Sequence, residues 1–92
     1  MIDFPLYLIT DRKQVANGYT LYTAVEAALQ GGVKAVQLRE KDLSAAELLS
    51  LATQLRDLTR SHGALLFIND NIDIALTVEA DGVHLGGHSE AT

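Results

Sequence analysis

The sequence predicts an α/β fold built on a parallel sheet. Four short apolar runs, at 6–10, 34–39, 64–69 and 82–86, have the length of buried strands. Three segments with apolar residues at helical spacing lie between them, and this alternation is typical of parallel strands joined by right-handed crossovers. The strand–helix repeat of about 27–30 residues is that of a (β/α)8 TIM barrel, so four strands and three helices predict half of such a barrel.

The first strand, 6–10, follows Pro5 and ends before the polar residues at 11–13. Asn17 and Gly18 mark a loop, and Thr20 is the expected N-cap of the first helix. Leu21, Val25, Ala28 and Leu29 recur at helical spacing, and the glycine pair at 31–32 stops the helix. The second strand, 34–39, follows directly.

Ser44 and Glu47 form a capping box, the clearest helix start in the sequence. Leucines and alanines then line one helical face to about Arg60, and His62-Gly63 ends the helix. After the third strand, the segment 72–78 predicts a short helix capped by either Asp70 or Asn71. The fourth strand, 82–86, follows a turn at 80–82, and residues 1–92 form one predicted domain without a linker.

Composition narrows the class of protein. A net charge of −5 argues against a nucleic-acid binder, which needs a basic surface to neutralise phosphates. The absence of cysteine excludes disulfides, thiolate catalysis and cysteine-ligated metals. No run approaches the roughly 18 apolar residues of a membrane span, and the N-terminus lacks a secretory pattern. We therefore expect a soluble cytoplasmic protein.

Gln37, Arg39 and Lys41 are the first candidate site residues. They follow an apolar run at positions i, i+2 and i+4, and on an extended strand these positions share one face. An amide, a guanidinium and an ammonium on one face suit an anionic ligand. By itself, however, an Arg-x-Lys pair at a strand end is more often a solvated edge.

Polar groups also lie at the carboxyl ends of the other predicted strands, namely Thr10, Asp11, Arg12, Asn69, Asp70 and His84. In parallel α/β folds, ligands bind beyond the carboxyl ends of the strands. These side chains should therefore gather at one edge of the sheet. Asp70 has a second interpretation as a helix cap, and His84 has one as a packed strand residue.

Four motifs resemble the N-terminal half of the thiamine phosphate synthase family. They are LYLITD at 6–11, QLREK at 37–41, IND at 68–70 and ADGVHLG at 80–86. Their order and their places at strand ends make the set more specific than any one motif. The family joins a pyrimidine pyrophosphate to a thiazole phosphate and releases pyrophosphate in thiamine biosynthesis.

The resemblance implies that Gln37, Arg39 and Lys41 hold the pyrophosphate with help from Asn69. It also implies that Asp70 binds Mg²⁺ on that group. A departing pyrophosphate accumulates negative charge, which Arg39, Lys41 and a divalent ion would stabilise. Arg39 and Lys41 are therefore the expected catalytic residues.

The same resemblance implies a place for the pyrimidine ring. His84 would lie beside the ring, and Tyr7 would line the pocket. The family's second metal carboxylate has no counterpart at Gly87-His88-Ser89, and Glu90 is the nearest carboxylate.

Three functions stay open at the level of sequence. The first is the synthase, represented by half of its barrel and so expected to be inactive alone. The second is a related thiazole tautomerase. The pattern at 37–41 with Asn69-Asp70 favours the synthase over it, and the stretch 87–89 weakens that preference. The third is a non-catalytic half-barrel that binds pyrophosphate at most and self-associates through exposed strand edges as a homo-oligomer.

Overall fold

The computed structural model of the chain describes residues 7–11, 13 and 20–85. It contains the seven elements that the sequence predicts, in the predicted order. They are β1 (Tyr7–Ile9), α1 (Leu21–Gln30), β2 (Ala35–Leu38), α2 (Ala45–Ser61), β3 (Leu65–Asn69), α3 (Ile72–Thr77) and β4 (Gly82–His84).

The strands are shorter than the predicted runs. β1 ends one residue before Thr10, β2 lacks Lys34 and Arg39, and β3 begins one residue after Ala64. The predicted ends at Leu6 and Gly86 lie outside the described residues. Apolar runs mark the buried segment, whereas strand ends depend on where backbone hydrogen bonds between neighbours stop.

All four strands are parallel and lie in the order β1-β2-β3-β4. Val36 lies opposite Leu8 and Leu66, and Asn69 lies opposite His84. Consecutive strands are therefore neighbours, with a helix crossing between each pair. This arrangement places the carboxyl ends of all four strands at one edge of the sheet.

Side-chain caps fix the three helix starts. The Thr20 hydroxyl accepts from the Thr23 N–H at 3.1 Å, and Ser44 and Glu47 form the predicted capping box. For α3, the cap is Asn71, whose Oδ1 accepts from the Ile74 N–H at 2.9 Å. Of the two predicted candidates for this cap, Asp70 is thereby excluded.

The helix-facing side of the sheet forms the core. Val36, Leu38, Leu66 and Ile68 point to this side and are at most 1% exposed. They pack with buried residues of the helices, namely Val25, Leu29, Ala52, Leu55, Leu58, Ile74 and Ala75. Burying these apolar side chains is the main source of stability, at about 1.5–3 kcal/mol for each large side chain.

The opposite side of the sheet, here termed the open face, is covered by no helix of the described chain. Tyr7, Ile9 and Leu65 lie on it and are 44–47% exposed. Phe67 lies between them with its ring over Gly82, where an added Cβ would come within 2.8 Å of the ring. Alternate residues of each strand thus divide between a packed face and an exposed one.

A buried arginine joins α2 to the amino-terminal edge of the sheet. The Arg56 side chain is 7% exposed, and its Nη1 donates to Asp81 Oδ2 at 2.9 Å and to the Glu79 carbonyl at 3.2 Å. The same Asp81 oxygen accepts from the Leu66 N–H at 2.7 Å. We call these contacts the Arg56–Asp81 cluster.

The Arg56–Asp81 cluster changes the acidity of its carboxyl. Partial burial disfavours the charged form, but it is outweighed by hydrogen bonds from Leu66 and Arg56 and by the charges of Arg56 and Arg60, so the pKa of Asp81 is lowered. Asp81 is therefore held as a carboxylate.

Within residues 20–85, no helix is both long enough and apolar enough to cross a membrane.

Candidate functional site

Thr10 joins the carboxyl ends of β1 and β2. Its N–H donates to the Gln37 carbonyl at 2.9 Å, and its hydroxyl accepts from the Arg39 N–H at 2.9 Å. Thr10 is 3% exposed, so both bonds are shielded from water. The backbone that carries Arg39 is consequently fixed against the neighbouring strand.

A cleft of about 470 Å³ lies between these two strand ends. It contains Arg39 and Lys41, as predicted, and a third cation, Lys13, whose Nζ lies 3.6 Å from Asp42 Oδ2. We call it the first cleft, and its lining residues are Ile9, Thr10, Asp11, Lys13, Arg39, Glu40, Lys41 and Asp42. Among the described lining residues, these three cations face three carboxylates, Asp11, Glu40 and Asp42.

A second cleft of about 210 Å³ lies between the ends of β2 and β3. Asn69 and Asp70 line it, together with Leu38, Glu40, Lys41, Leu43, Leu48 and Asn71. Lys41 borders both clefts, which makes it the link between Arg39 on one side and Asp70 on the other. The structure therefore brings these predicted residues to one edge of the sheet.

The prediction that Gln37, Arg39 and Lys41 share one strand face is wrong. β2 ends at Leu38, and Lys41 lies in the turn that leads to α2. Gln37 is buried at 3% exposure, whereas Arg39 and Lys41 are exposed. Arg39 and Lys41 reach the first cleft because the chain turns after β2, whereas Gln37 lies within the sheet and lines neither cleft.

A row of polar side chains crosses the open face near this edge. Gln37 Nε2 donates to the Tyr7 hydroxyl, and Asn69 Nδ2 donates to Gln37 Oε1 at 3.1 Å. His84 lies exposed on β4 opposite Asn69 and continues the row. The four residues come from four different strands: Asn69 and His84 are register partners, whereas Tyr7 and Asn69 each lie diagonally from Gln37 on the open face.

Asp70 occupies an unusual backbone conformation between β3 and α3. Its φ is 56°, in the left-handed region where aspartate is enriched among residues other than glycine. Its N–H donates to the His84 carbonyl at 2.8 Å, which fixes the residue to the end of β4. Asn71 caps the helix instead, so capping does not account for the carboxylate of Asp70.

Among residues 7–11, 13 and 20–85, no three side chains of the His, Cys, Asp and Glu types converge on a position for a metal ion. Mg²⁺ commonly binds through one or two carboxylates, with waters and substrate phosphates completing its shell. Asp70 beside the second cleft fits that mode, in which a phosphate-bearing ligand supplies the remaining oxygens.

Lys13 is a cleft residue that the sequence did not predict, and Thr10 was placed at the strand end without a role. Its position as the polar last residue of the first apolar run was the available signal. Lys13 follows the same strand end, but nothing local distinguishes it from a solvated loop lysine.

The family model described as thiamine monophosphate synthase matches residues 6–92. The chain belongs to this family. The match includes all four motifs on which the sequence-based resemblance rests, and it covers every described strand and helix. The fold class is likewise confirmed, as four parallel strands and three helices of a TIM-barrel family.

Members of the thiamine monophosphate synthase family with close sequences are known from several bacteria. The chain is 62% identical over 85 residues to a protein of Geobacter sulfurreducens that is provisionally named a thiamine-phosphate synthase. It is 49% identical over 85 residues to the thiamine-phosphate synthase of Caldanaerobacter subterraneus. Each alignment covers 92% of this chain.

A solved structure of the same family has the same fold. The thiamine phosphate pyrophosphorylase from Pyrococcus furiosus matches with a TM-score of 0.77 and 41% identity over 87% of this chain. The match covers 38% of that protein, and the two bacterial alignments cover 39% of theirs. The chain thus spans about two fifths of the length of the relatives it matches.

Proposed function

We propose that the chain forms the pyrophosphate-binding half of a thiamine-phosphate synthase active site. The complete reaction would join hydroxymethylpyrimidine pyrophosphate to thiazole phosphate and release pyrophosphate. The observation that carries the proposal is the pair of adjoining clefts, which share Lys41 and place Arg39 and Asp70 at one sheet edge. The names of the relatives agree with it.

Arg39 and Lys41 would be the catalytic residues. A pyrophosphate leaving group gains negative charge as its bond to carbon breaks, and fixed cations lower the free energy of that transition state. The bond between Thr10 and the Arg39 N–H holds the backbone beneath the guanidinium, so less reorganisation is needed during the reaction. No general base is required from these residues.

Asp70 would hold Mg²⁺ together with the pyrophosphate. The described lining of the first cleft includes three carboxylates, so a divalent ion would help to retain a multiply charged anion there. When bound, the ion would neutralise charge on the departing pyrophosphate. Asp70 and Glu40 are the two carboxylates that line the second cleft beside Lys41, and so few protein oxygens would leave most of the metal shell to water and the anion.

Asn69 would assist Arg39 and Lys41 in holding the pyrophosphate, and Tyr7 and His84 would lie beside the pyrimidine ring. They line the open face next to the two clefts, and the aromatic rings of Tyr7 and Phe67 contact edge to face with centroids 6.2 Å apart. An aromatic surface with neutral amides suits a flat nitrogen heterocycle. The domain assignment and the cytoplasmic location stay predictions.

A tautomerase-like activity is the second candidate. The observation that favours it is the sequence Gly87-His88-Ser89, which replaces the family's second metal carboxylate. Binding of Mg²⁺ with pyrophosphate separates the two candidates, because only the synthase releases that product.

We also propose that the chain self-associates. Among the described strands, β1 and β4 each pair on one side only, and the open face exposes Tyr7, Ile9 and Leu65. Unpaired strand edges and exposed apolar surface both favour association. Light scattering at micromolar concentration should show a homodimer or larger species, and a cooperatively unfolding monomer would contradict the proposal.

Thermal unfolding with Mg²⁺ and pyrophosphate tests the site. A ligand that binds only the folded chain stabilises it, by about 2.7 kcal/mol at one hundred times its Kd. Arg39→Ala and Lys41→Ala should each remove more than half of the rise in Tm. Lys34→Ala is the matched control, because Lys34 is an exposed lysine at the opposite edge of the sheet.

The same rise in Tm in all four proteins would show that Arg39 and Lys41 do not bind the anion. If pyrophosphate raises the Tm by the same amount with and without Mg²⁺, Asp70 does not bind a metal ion with the anion. The proposed roles of Arg39 and Lys41 would be unaffected by that result.

A further inference from the structure

Gln37 is the most buried polar residue of the open face. It is 3% exposed, although Tyr7 on the adjacent strand is 44% exposed. Its carboxamide is bonded at both ends, to the Tyr7 hydroxyl through Nε2 and to Asn69 Nδ2 through Oε1. A buried amide satisfied in this way contributes to a fixed arrangement of its partners.

The register explains why a glutamine is needed at this position. Gln37 lies opposite Ile9 on β1 and opposite Phe67 on β3. Tyr7 lies two residues before Ile9, and Asn69 lies two residues after Phe67, so both partners are diagonal to Gln37 on the same face. A side chain must reach in both directions to bond them, and Gln37 does so with its two amide ends.

The partners of Gln37 are better placed than Gln37 to meet a ligand. Asn69 is partly exposed and lines the second cleft beside Asp70, and its Nδ2 has a second hydrogen beyond the one given to Gln37. Gln37 lines neither cleft. Of the two residues, Asn69 is therefore the one placed to meet an anion in the second cleft.

We infer that Gln37 is a positioning residue, which orients the Asn69 amide and the Tyr7 hydroxyl and affects the bound anion through Asn69 without touching it. The effect on the anion rests on the proposed pyrophosphate site. The arrangement of the three residues, here termed the Tyr7–Gln37–Asn69 relay, is independent of that proposal because its hydrogen bonds involve no ligand.

A double-mutant cycle separates positioning from direct contact. The chain, Gln37→Met, Asn69→Ala and the double variant are titrated with pyrophosphate in the presence of Mg²⁺. Gln37→Met preserves length and removes the amide, and it should weaken binding about five-fold, as expected for one neutral hydrogen bond. In the Asn69→Ala background the same substitution should have no further effect.

Two results would overturn the inference. Gln37→Met could leave the affinity unchanged, or it could weaken binding equally in both backgrounds, as a residue in direct contact with the anion would. If Gln37→Met does not fold, Gln37→Asn replaces it in the cycle, because the shorter amide cannot reach both partners.

Urea unfolding of the same four proteins tests the relay without a ligand. The loss of stability in the double variant should be smaller than the sum of the two single losses, since both break the same hydrogen bond. Additive losses would overturn the relay. If the parent chain fails to bind pyrophosphate, the proposed function fails, and the relay is still judged by this second cycle.

Discussion

Arg56 and Arg39 lie at opposite edges of the same parallel sheet, and their surroundings differ in burial and in pairing. Arg56 is 7% exposed in its side chain and bonds Asp81 and the Glu79 carbonyl. Arg39 is exposed at the rim of the first cleft, where its backbone is fixed by Thr10. One guanidinium group is therefore buried and paired with a carboxylate, whereas the other is exposed to solvent beside a cleft.

The two edges of the sheet therefore differ: one carries a buried structural contact, and the other exposes two cations beside clefts. At the amino-terminal edge, a single carboxylate oxygen of Asp81 joins α2 to β3 through Arg56 and the Leu66 N–H. At the carboxyl edge, Arg39 and Lys41 border open clefts. In barrels of this family, the first edge is the place for structural residues and the second for catalytic ones.

The largest effect on folding should come from Asp81→Asn. The substitution removes the charge that Arg56 faces, and partial exposure of Asp81 limits the cost, so we expect a loss of about 1.5 kcal/mol in the free energy of unfolding. Glu79→Gln is the matched control. This substitution breaks the exposed pair with Arg60. The Arg60 side chain is 54% exposed and that of Glu79 is 78% exposed, so the loss in the free energy of unfolding should be less than about 0.5 kcal/mol.

Urea denaturation of the two variants measures both losses. Equal losses would mean that the burial of Arg56 has no energetic consequence. Unequal losses with unchanged pyrophosphate affinity would support a purely structural role for the amino-terminal edge.

Acid should weaken the amino-terminal edge by a smaller, graded amount. The pKa of Asp81 is lowered in the folded chain, so its stabilising effect is present above the unfolded value of about 3.9 and is lost as pH falls through the folded value. As the pH is lowered below about 4, the urea midpoint of the parent chain should therefore decrease more steeply than that of Asp81→Asn.

Because acid acts on the whole chain, the quantity to compare is the difference in urea midpoint between the parent and the variant. Parallel pH profiles would show that the lowered pKa of Asp81 does not contribute to stability. Profiles that converge toward low pH would assign the difference to this carboxyl.

The smallest effect on folding should come from Arg39→Gln. Arg39 is exposed, and substitutions of exposed side chains usually change the free energy of unfolding by less than about 0.5 kcal/mol in either direction. The same variant should lose most of the stabilisation by Mg²⁺ and pyrophosphate. A large loss of stability without ligand would place Arg39 among the structural residues and end the contrast with Arg56.

The order and type of every element could be predicted from the sequence, because each depends on local patterns. The capping box at Ser44 and Glu47 and the glycines after α1 and α2 are chemical signals that act within a few residues. Gly32 and Gly63 have φ values of 113° and 66°, which explains why glycine ends these helices.

Contacts between distant segments could not be predicted in this way. Asp81 belongs to a predicted turn, and its partner Arg56 lies 25 residues earlier on a helix whose pattern shows only an apolar face. Likewise, periodicity places Gln37 on a strand but does not show that Tyr7 and Asn69 enclose it. Such contacts depend on sheet register, which is a property of several strands together.

By itself, the sequence determined the α/β class and the collection of polar groups at the carboxyl edge. Parallel strands joined by helices all end on the same side, so any polar residue after a strand is delivered to that edge. The different surroundings of Gln37, Arg39 and Lys41 could be seen in the tertiary structure but not in the sequence. Because β2 stops at Leu38, Gln37 stays within the sheet and bonds its neighbours, whereas Arg39 and Lys41 turn outward to the clefts.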